Sequence, residues 1–372
     1  MGLALGLLLV LQQPPVILDG HIDTPQRMLD MRTDISARLS DGHIDVPRMK
    51  EGGLTAAFFS IWVDARYRRA GAFQRALDLI AAVRALADTD PQVELATTAD
   101  EVRGAAARGH VAALLGVEGG HAIENSLERL DSLYRLGVRY MTLTWNNGND
   151  WAGASMDPRR SGGLSPFGKQ VVRRMNELGM LVDVSHVSDA TFWDVIAVTT
   201  RPVIASHSAC RALARHPRNL SDAQLRALAR TGGVVGINFY PVFLDDRFRR
   251  EYERLRARLK PETDAIHARY QDRPGESAFA VDRLVGERVA AELAVPGIER
   301  LVAHIDHAVQ VMGVDHVGLG SDFDGISVLP APMKDVTSLP LVVAALRARG
   351  YSDDDVRKIL GENFLRVLSA PG

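Results

Sequence analysis

Apolar residues in this chain cluster in short blocks, and the polar segments between them repeat on a different period. The blocks at 16–18, 54–63, 111–116, 138–144, 180–184, 202–205, 232–239 and 316–320 are apolar nearly throughout rather than at alternate positions. That pattern predicts strands buried on both faces. Segments 73–87, 99–107, 126–136, 167–178, 190–197, 221–230, 298–312, 339–349 and 352–368 instead space their apolar residues as helices do. Gly137 and Gly179 stand where helix C-caps are expected, and Ser221 where an N-cap is. Residues 27–49 read as polar and irregular, and the charged stretch from about 244 to 292 as mostly helical. Eight strands alternating with helices predict an α/β fold, a (β/α)8 barrel, with a helical insertion after the seventh strand. An open doubly wound sheet is the alternative. Residues 16–372 are expected to form one barrel domain, preceded by an apolar segment at 1–15.

Composition narrows the function. The chain has 372 residues and a net charge of −2, which gives no basis for nucleic acid as a partner. Its single cysteine, Cys210, excludes an internal disulfide and a cysteine-built zinc site, and reads as a small buried filler. The first eleven residues are almost wholly apolar, too few to span a bilayer as a helix. They resemble the core of a secretory signal, without its preceding positive charge. Export to the periplasm or association with a membrane is therefore favoured over the cytoplasm; an apolar arm packed on the domain is the alternative.

The chemistry lies where the strands end. His21 and Asp23 close the first strand, Glu118 the third, His186 the fifth, His207 the sixth and Asp322 the eighth. In a barrel these ends meet at one mouth, where active sites lie. Three imidazoles and three carboxylates exceed the needs of one four-coordinate metal. Two metals bridged by a carboxylate account for them, with Glu118 the expected bridge and Asp322 left to move protons. His21 and Asp23 would complete one metal, His186 and His207 the other. A second Asp-Gly-His-Ile-Asp at 41–45 lacks a preceding strand to aim it and reads as a decoy. His304-Ile305-Asp306-His307 falls in a helix, where a solvated surface is expected. His43, His110, His216 and His267 lie in polar surroundings. His121 is expected either to support Glu118 or to touch substrate.

Taken together, Asp-Gly-His-Ile-Asp at 19–23, Gly-Val-Glu-Gly-Gly-His at 116–121, Gly-Leu-Ser-Pro-Phe-Gly at 163–168, Asp-Val-Ser-His-Val-Ser at 183–188, Ser-His-Ser at 206–208 and Gly-Ser-Asp-Phe-Asp-Gly at 320–325 resemble the membrane (renal-type) dipeptidases, within the metal-dependent amidohydrolase-like barrels. The resemblance covers nearly the whole chain. It implies two Zn2+ ions bridged by Glu118, one also held by His21 and Asp23, the other by His186 and His207. It implies Asp322 as the proton-transfer carboxylate and Arg218 as the holder of the substrate's terminal carboxylate, a role that suits a guanidinium fork. The expected reaction is attack of a metal-bridging hydroxide on the peptide bond of a small dipeptide, with L,D dipeptides included. Trp145 departs from the family, which has a substrate-binding histidine there; an indole donates through one N–H only. Asn363 fits the family's ending in a structural role. The insertion reads as a solvated addition, with a lid or an oligomer contact as alternatives, and a homodimer is left open. Competing functions are another hydrolase on the same barrel, acting on an N-acyl amino acid, a cyclic amide or a lactone, and a non-catalytic metal-binding relative.

Overall fold

The computed structural model describes residues 15–369; the apolar start, up to residue 14, lies outside them. Nine strands form: β1 (Leu18–Ile22), β2 (Ala56–Trp62), β3 (Val93–Leu95), β4 (Val111–Glu118), β5 (Val138–Thr142), β6 (Leu181–Asp183), β7 (Val203–Ser208), β8 (Val234–Ile237) and β9 (Val317–Leu319). Eight of them close a parallel ring, because β2 pairs with both β1 and β4, and β9 with both β8 and β1. The expected (β/α)8 barrel is thus borne out. The unforeseen β3 pairs with the first residues of β4, before β5 begins its own pairing at Leu115.

Side-chain alternation sorts the ring into two layers. Ala56 and Phe58 of β2 and Ala112 and Leu114 of β4 pack inside the barrel with Leu18, Tyr140, Leu181, Ile204 and Val234. Phe59, Ile61, Leu115 and Val117 face the surrounding helices. Phe364, from the helix Asn363–Leu368, joins the inner cluster and closes the bottom. Its ring lies so near Gly20 that a Cβ there would come within 2.7 Å of it. Asn363 donates to the carbonyls of Val314 and Val317, so its role is structural as expected.

Three local departures have physical causes. Residues 27–49 are not irregular throughout: Thr24–Asp30 and Val46–Gly52 are helices, each begun by a proline whose missing N–H costs nothing in the first turn. The expected helix at 352–368 is divided by a wider turn at Lys358–Glu362. The segment after β8 folds into four helices, Pro241–Leu244, Asp246–Arg258, Lys260–Arg269 and Pro274–Glu292. They enclose an apolar cluster of their own, built on Phe248, Tyr252, Leu255, Val281, Val285 and Val289. No helix among the described residues is long and apolar enough to cross a membrane.

Candidate metal centre and substrate cavity

All six strand-end residues meet at the barrel mouth. Glu118 ends β4, and its register partners Trp62 and Thr142 end β2 and β5. The pairing of β1 slips between Asp19 and Ile22, and that of β7 between Ala205 and Ser208. Such irregularities re-aim a side chain at a strand end, and they bracket His21 and His207. His186 and Asp322 each stand three residues past a strand end, with φ of 68° and 66°. Backbone turned this way is uncommon outside glycine and concentrates at functional sites.

The Glu118 carboxylate lies between two groups. Its Oε1 is 2.8 Å from His186 Nε2 and 3.4 Å from His207 Nε2, while its Oε2 is 3.5 Å from His21 Nε2. Asp23 Oδ2 is also 3.5 Å from His21 Nε2. Ligand atoms of His21, Glu118 and His207, and of His21, Asp23 and Asp322, all lie within 4.8 Å of one another in each trio. His21 is common to both trios; neither is one of the two sets expected from the sequence, and His186 joins the group through its contact with Glu118.

Neighbouring groups fix which ring nitrogen of each histidine faces inward. Tyr140 Oη donates to the Gly20 carbonyl at 3.3 Å, so it accepts from His21 Nδ1 at 2.8 Å. Ser206 Oγ donates to Asp183 at 2.6 Å, so it accepts from His207 Nδ1 at 2.8 Å. Asn146 Oδ1 accepts from His186 Nδ1 at 3.0 Å. In its neutral form each imidazole consequently turns an unprotonated Nε2 towards Glu118, and the Nε2 atoms of His186 and His207 face one another at 2.9 Å. Lone pairs converging on a carboxylate repel unless a cation lies among them, which is the donor set of a divalent metal. His21 Nε2 and Asp23 Oδ1 are also buried without a hydrogen-bonding partner. The residues present fit the metal that the resemblance implies.

Electrostatics agree for His186 and His207 but not for His21, where burial lowers the ring and Tyr140, Asp23 and Glu118 outweigh it, raising it well above its ordinary value. Burial, with the nearby Arg218 charge, pushes His186 down to about 4 and His207 well below its ordinary value, keeping both rings neutral. Burial pushes Glu118 up, but His21 and His186 outweigh it and hold the carboxyl well below the usual range. Burial and the Asp23 charge raise Asp322 to about 7. Asn238 donates to Asp322 Oδ2 at 2.9 Å. Gly325 is required here, since a Cβ would come within 2.1 Å of Asp23 Oδ2.

Above the centre opens a cavity of about 940 Å³. Asp23, Glu118, His186 and Asp322 form its floor, Arg218, Trp62 and Trp145 its sides, and the insertion helices its roof. Arg218 is buried, donates one Nη2 bond to the His207 carbonyl at 3.1 Å, and has Nε and Nη1 unpartnered. Burial lowers it to about 10, against the opposing pull of Asp322 and Glu118. Trp145 meets Trp62 edge-on, with ring centres 4.9 Å apart. The insertion, read as a solvated addition, is in part a cavity wall.

Other histidines are placed differently. His43 lies beside Asp324, accepting its backbone N–H at 2.9 Å, and belongs to neither trio; Asp45 caps the helix Val46–Gly52. His121 is buried against Gly119 and does not line the cavity. The expectation for His304 is corrected. It is fully buried, accepting the Cys210 N–H on Nδ1 and donating from Nε2 to the Leu244 carbonyl. Cys210 packs against it, its thiol pushed up to about 12 by burial. Sequence reasoning missed Tyr140, Asn146 and Asn238, which carry no pattern. It also passed over Asp183 and Ser206, although both stand in the motifs quoted above.

Residues 9–371 match the family model for membrane dipeptidase, peptidase family M19. Dipeptidase verJ of Clonostachys rogersoniana is 33% identical over 376 residues, spanning 95% of this chain and 84% of its own length. A crystal structure of dipeptidase AC, a metallo peptidase, superposes with a TM-score of 0.77 at 29% identity, covering 95% of this chain and 98% of that one. A metallo peptidase from Rhodobacter sphaeroides, liganded with a phosphinate mimic of the dipeptide L-Ala-D-Ala, gives a TM-score of 0.77 at 28% identity with the same coverage. The probable dipeptidase PvdM of Pseudomonas aeruginosa gives 0.79 at 28%, covering 95% and 94%. With the family match running along nearly the whole chain, and the donor set of a metal centre at the mouth of its barrel, this protein belongs to the membrane dipeptidase family, M19, and is a metal-dependent dipeptidase.

Proposed function

We propose that the chain hydrolyses dipeptides at a paired zinc centre and accepts a D-residue on the carboxyl-terminal side. The observation that carries the paired centre is the division of the Glu118 carboxylate, Oε1 towards His186 and His207 and Oε2 towards His21. His21, Asp23 and Glu118 would hold one ion, and Glu118, His186 and His207 the other. Held by those residues, such ions would supply Lewis-acid polarisation of the scissile carbonyl and a more acidic water. The protein's own groups do the rest.

Arg218 presents two free donors to the cavity and receives the substrate's terminal carboxylate as a fork. That anchor favours a short substrate whose peptide bond lies one residue from the carboxyl end. Asp322, fixed by Asn238 at Oδ2, takes a proton from the attacking water and passes it to the leaving amine. Trp145 narrows the side of the cavity and offers one N–H to the substrate. The phosphinate mimic of L-Ala-D-Ala held by the Rhodobacter sphaeroides relative supports the acceptance of a D-residue.

The test combines metal analysis with turnover of an L,L and L,D dipeptide panel. Two zinc ions per chain, turnover abolished by a chelator and restored by zinc, and an Asp322→Asn variant that keeps its metal but loses kcat are expected. Fully metallated protein that cleaves no dipeptide would sink the proposal and shift weight to N-acyl amino acids, cyclic amides or lactones.

A further inference from the structure

The cavity roof carries charge that the barrel does not use. The helix Pro274–Glu292 crosses the mouth and meets the helix Thr24–Asp30: Gly275 abuts Asp30, and Phe279 lies under the Arg27 guanidinium at 5.0 Å. Asp282, on that roof helix, lines the same cavity as Glu118, Arg218 and Asp322.

The acids of the cavity wall can be sorted by partner. Asp30 is paired with Arg75 at 2.7 Å and Asp64 with Arg66 at 2.8 Å. Asp324 accepts from Thr24 and the His43 N–H and lies 3.6 Å from Arg27. Asp23, Glu118 and Asp322 belong to the metal centre. Asp282 is the remaining one, and among the described residues it has no ion pair or side-chain hydrogen bond. Arg256, across the roof, acts on it electrostatically without pairing, while Asp322 acts on it from the floor. Burial, against the pull of Arg256 and with Asp322 adding to it, pushes its carboxyl up to about 6. A partly buried, unpaired carboxylate on a ligand cavity is stabilised by any cation the ligand brings.

A dipeptide is a zwitterion, and Arg218 accounts for only its negative end. We propose that Asp282 receives the free α-ammonium group of the substrate, making the insertion the element that selects unblocked amino ends. This inference rests on the dipeptidase reading of the site below it. Arg218 and Asp282 then act as opposite poles, which orient the substrate so that its peptide bond lies over the centre. The consequence is selectivity: N-acylated amino acids, which keep the carboxylate but lack the ammonium, bind poorly.

The experiment uses the full metal-loaded enzyme and compares alanyl-alanine with propionyl-alanine, which lacks only the amino group. Wild type is expected to favour the free dipeptide. Asp282→Asn should reduce that preference in kcat/KM about tenfold or more, chiefly through KM, and Asp282→Glu should restore part of it. Calorimetry with a phosphinate dipeptide mimic, with and without its amino group, reads the same preference without turnover. An unchanged preference in Asp282→Asn by both readouts overturns the proposal. So does a loss confined to lysyl dipeptides, which would assign Asp282 to a side chain. Failure of wild type to cleave any dipeptide would count against the reading below, while the calorimetric arm would still decide the role of Asp282.

Discussion

Tyr140→Phe isolates the step by which this protein prepares its metal ligands. The ring fills the space over Gly116, where a Cβ would come within 2.1 Å of it, so phenylalanine keeps the packing. What disappears is one hydroxyl that serves two buried groups, His21 Nδ1 at 2.8 Å and the Gly20 carbonyl at 3.3 Å. Burial pushes that hydroxyl's own pKa up, so it acts as a neutral relay. Without it, His21 Nδ1–H is orphaned, at a cost of about 1–3 kcal/mol. The alternative tautomer moves the proton to Nε2, facing Asp23 and Glu118, and relieves the orphan by destroying the ligand. Either way metal affinity falls, by about 10- to 100-fold for such supporting groups. Competition with a fluorescent zinc chelator measures it, with the thermal melt of the metal-free protein as a control on folding. Affinity within twofold of wild type would refute the tautomer argument, and with it the claim that the Tyr140–Gly20 chain selects the inward nitrogen.

Three further outcomes are expected. Arg218→Lys keeps the charge but loses the planar fork, and should raise KM for dipeptides about tenfold while kcat falls less; an unchanged KM would remove Arg218 from the substrate site. Gly325→Ala places a methyl group 2.1 Å from Asp23 Oδ2 and 2.6 Å from Asp322 Oδ1, so metal retained after dialysis and kcat should both drop. His304 is held neutral by burial, at about 4 rather than 6.5. Because the unfolded chain takes up that proton first, its contribution to stability is present above pH 6.5 and is lost as pH falls towards 4. Denaturant melts at pH 7 and pH 5 should show the gap between wild type and His304→Gln narrowing by about 2 kcal/mol, and a constant gap would argue against a neutral buried ring.

Strand ends were legible because a buried strand announces itself by composition, and a polar residue closing such a run has few bland explanations. Six of the site's residues, from His21 to Asp322, were found that way. Helices Thr24–Asp30 and Val46–Gly52 were missed because seven residues show less than two turns of periodicity, too little to stand out from polar sequence. His304 was misplaced for another reason. Its helix, Ile298–Met312, is amphipathic, but the loop from β7 and the end of Pro241–Leu244 cover more of it than the apolar stripe indicates, and they offer the Cys210 N–H and the Leu244 carbonyl that a buried imidazole needs. Tyr140 was read only as part of a strand, since nothing in one sequence reveals that it meets His21 of β1, three strands away round the barrel.

The mouth also shows why strand-end residues alone do not complete the centre. Had the chain run on in extended form past Asp183 and Leu319, alternation would have carried His186 and Asp322 away from the axis along their own strands. Both instead take the left-handed turn, at φ 68° and 66°, an arrangement that costs about 1–3 kcal/mol each unless the surroundings over-determine it. The surroundings do. Asp183 Oδ1 accepts the Ser185 and Ser206 N–H groups, tying the β6 exit to β7 just before His186. Asp19 Oδ1 accepts the His21 and Ser321 N–H groups in the same manner, tying β1 to the β9 exit just before Asp322. Two buried aspartates, one beside each turn, thus hold the backbone that folds an imidazole and a carboxylate back over the barrel. Neither Asp183 nor Asp19 belongs to the ligand trios, and the strain they restrain is what converts a ring of strand ends into a cluster of converging ligand atoms.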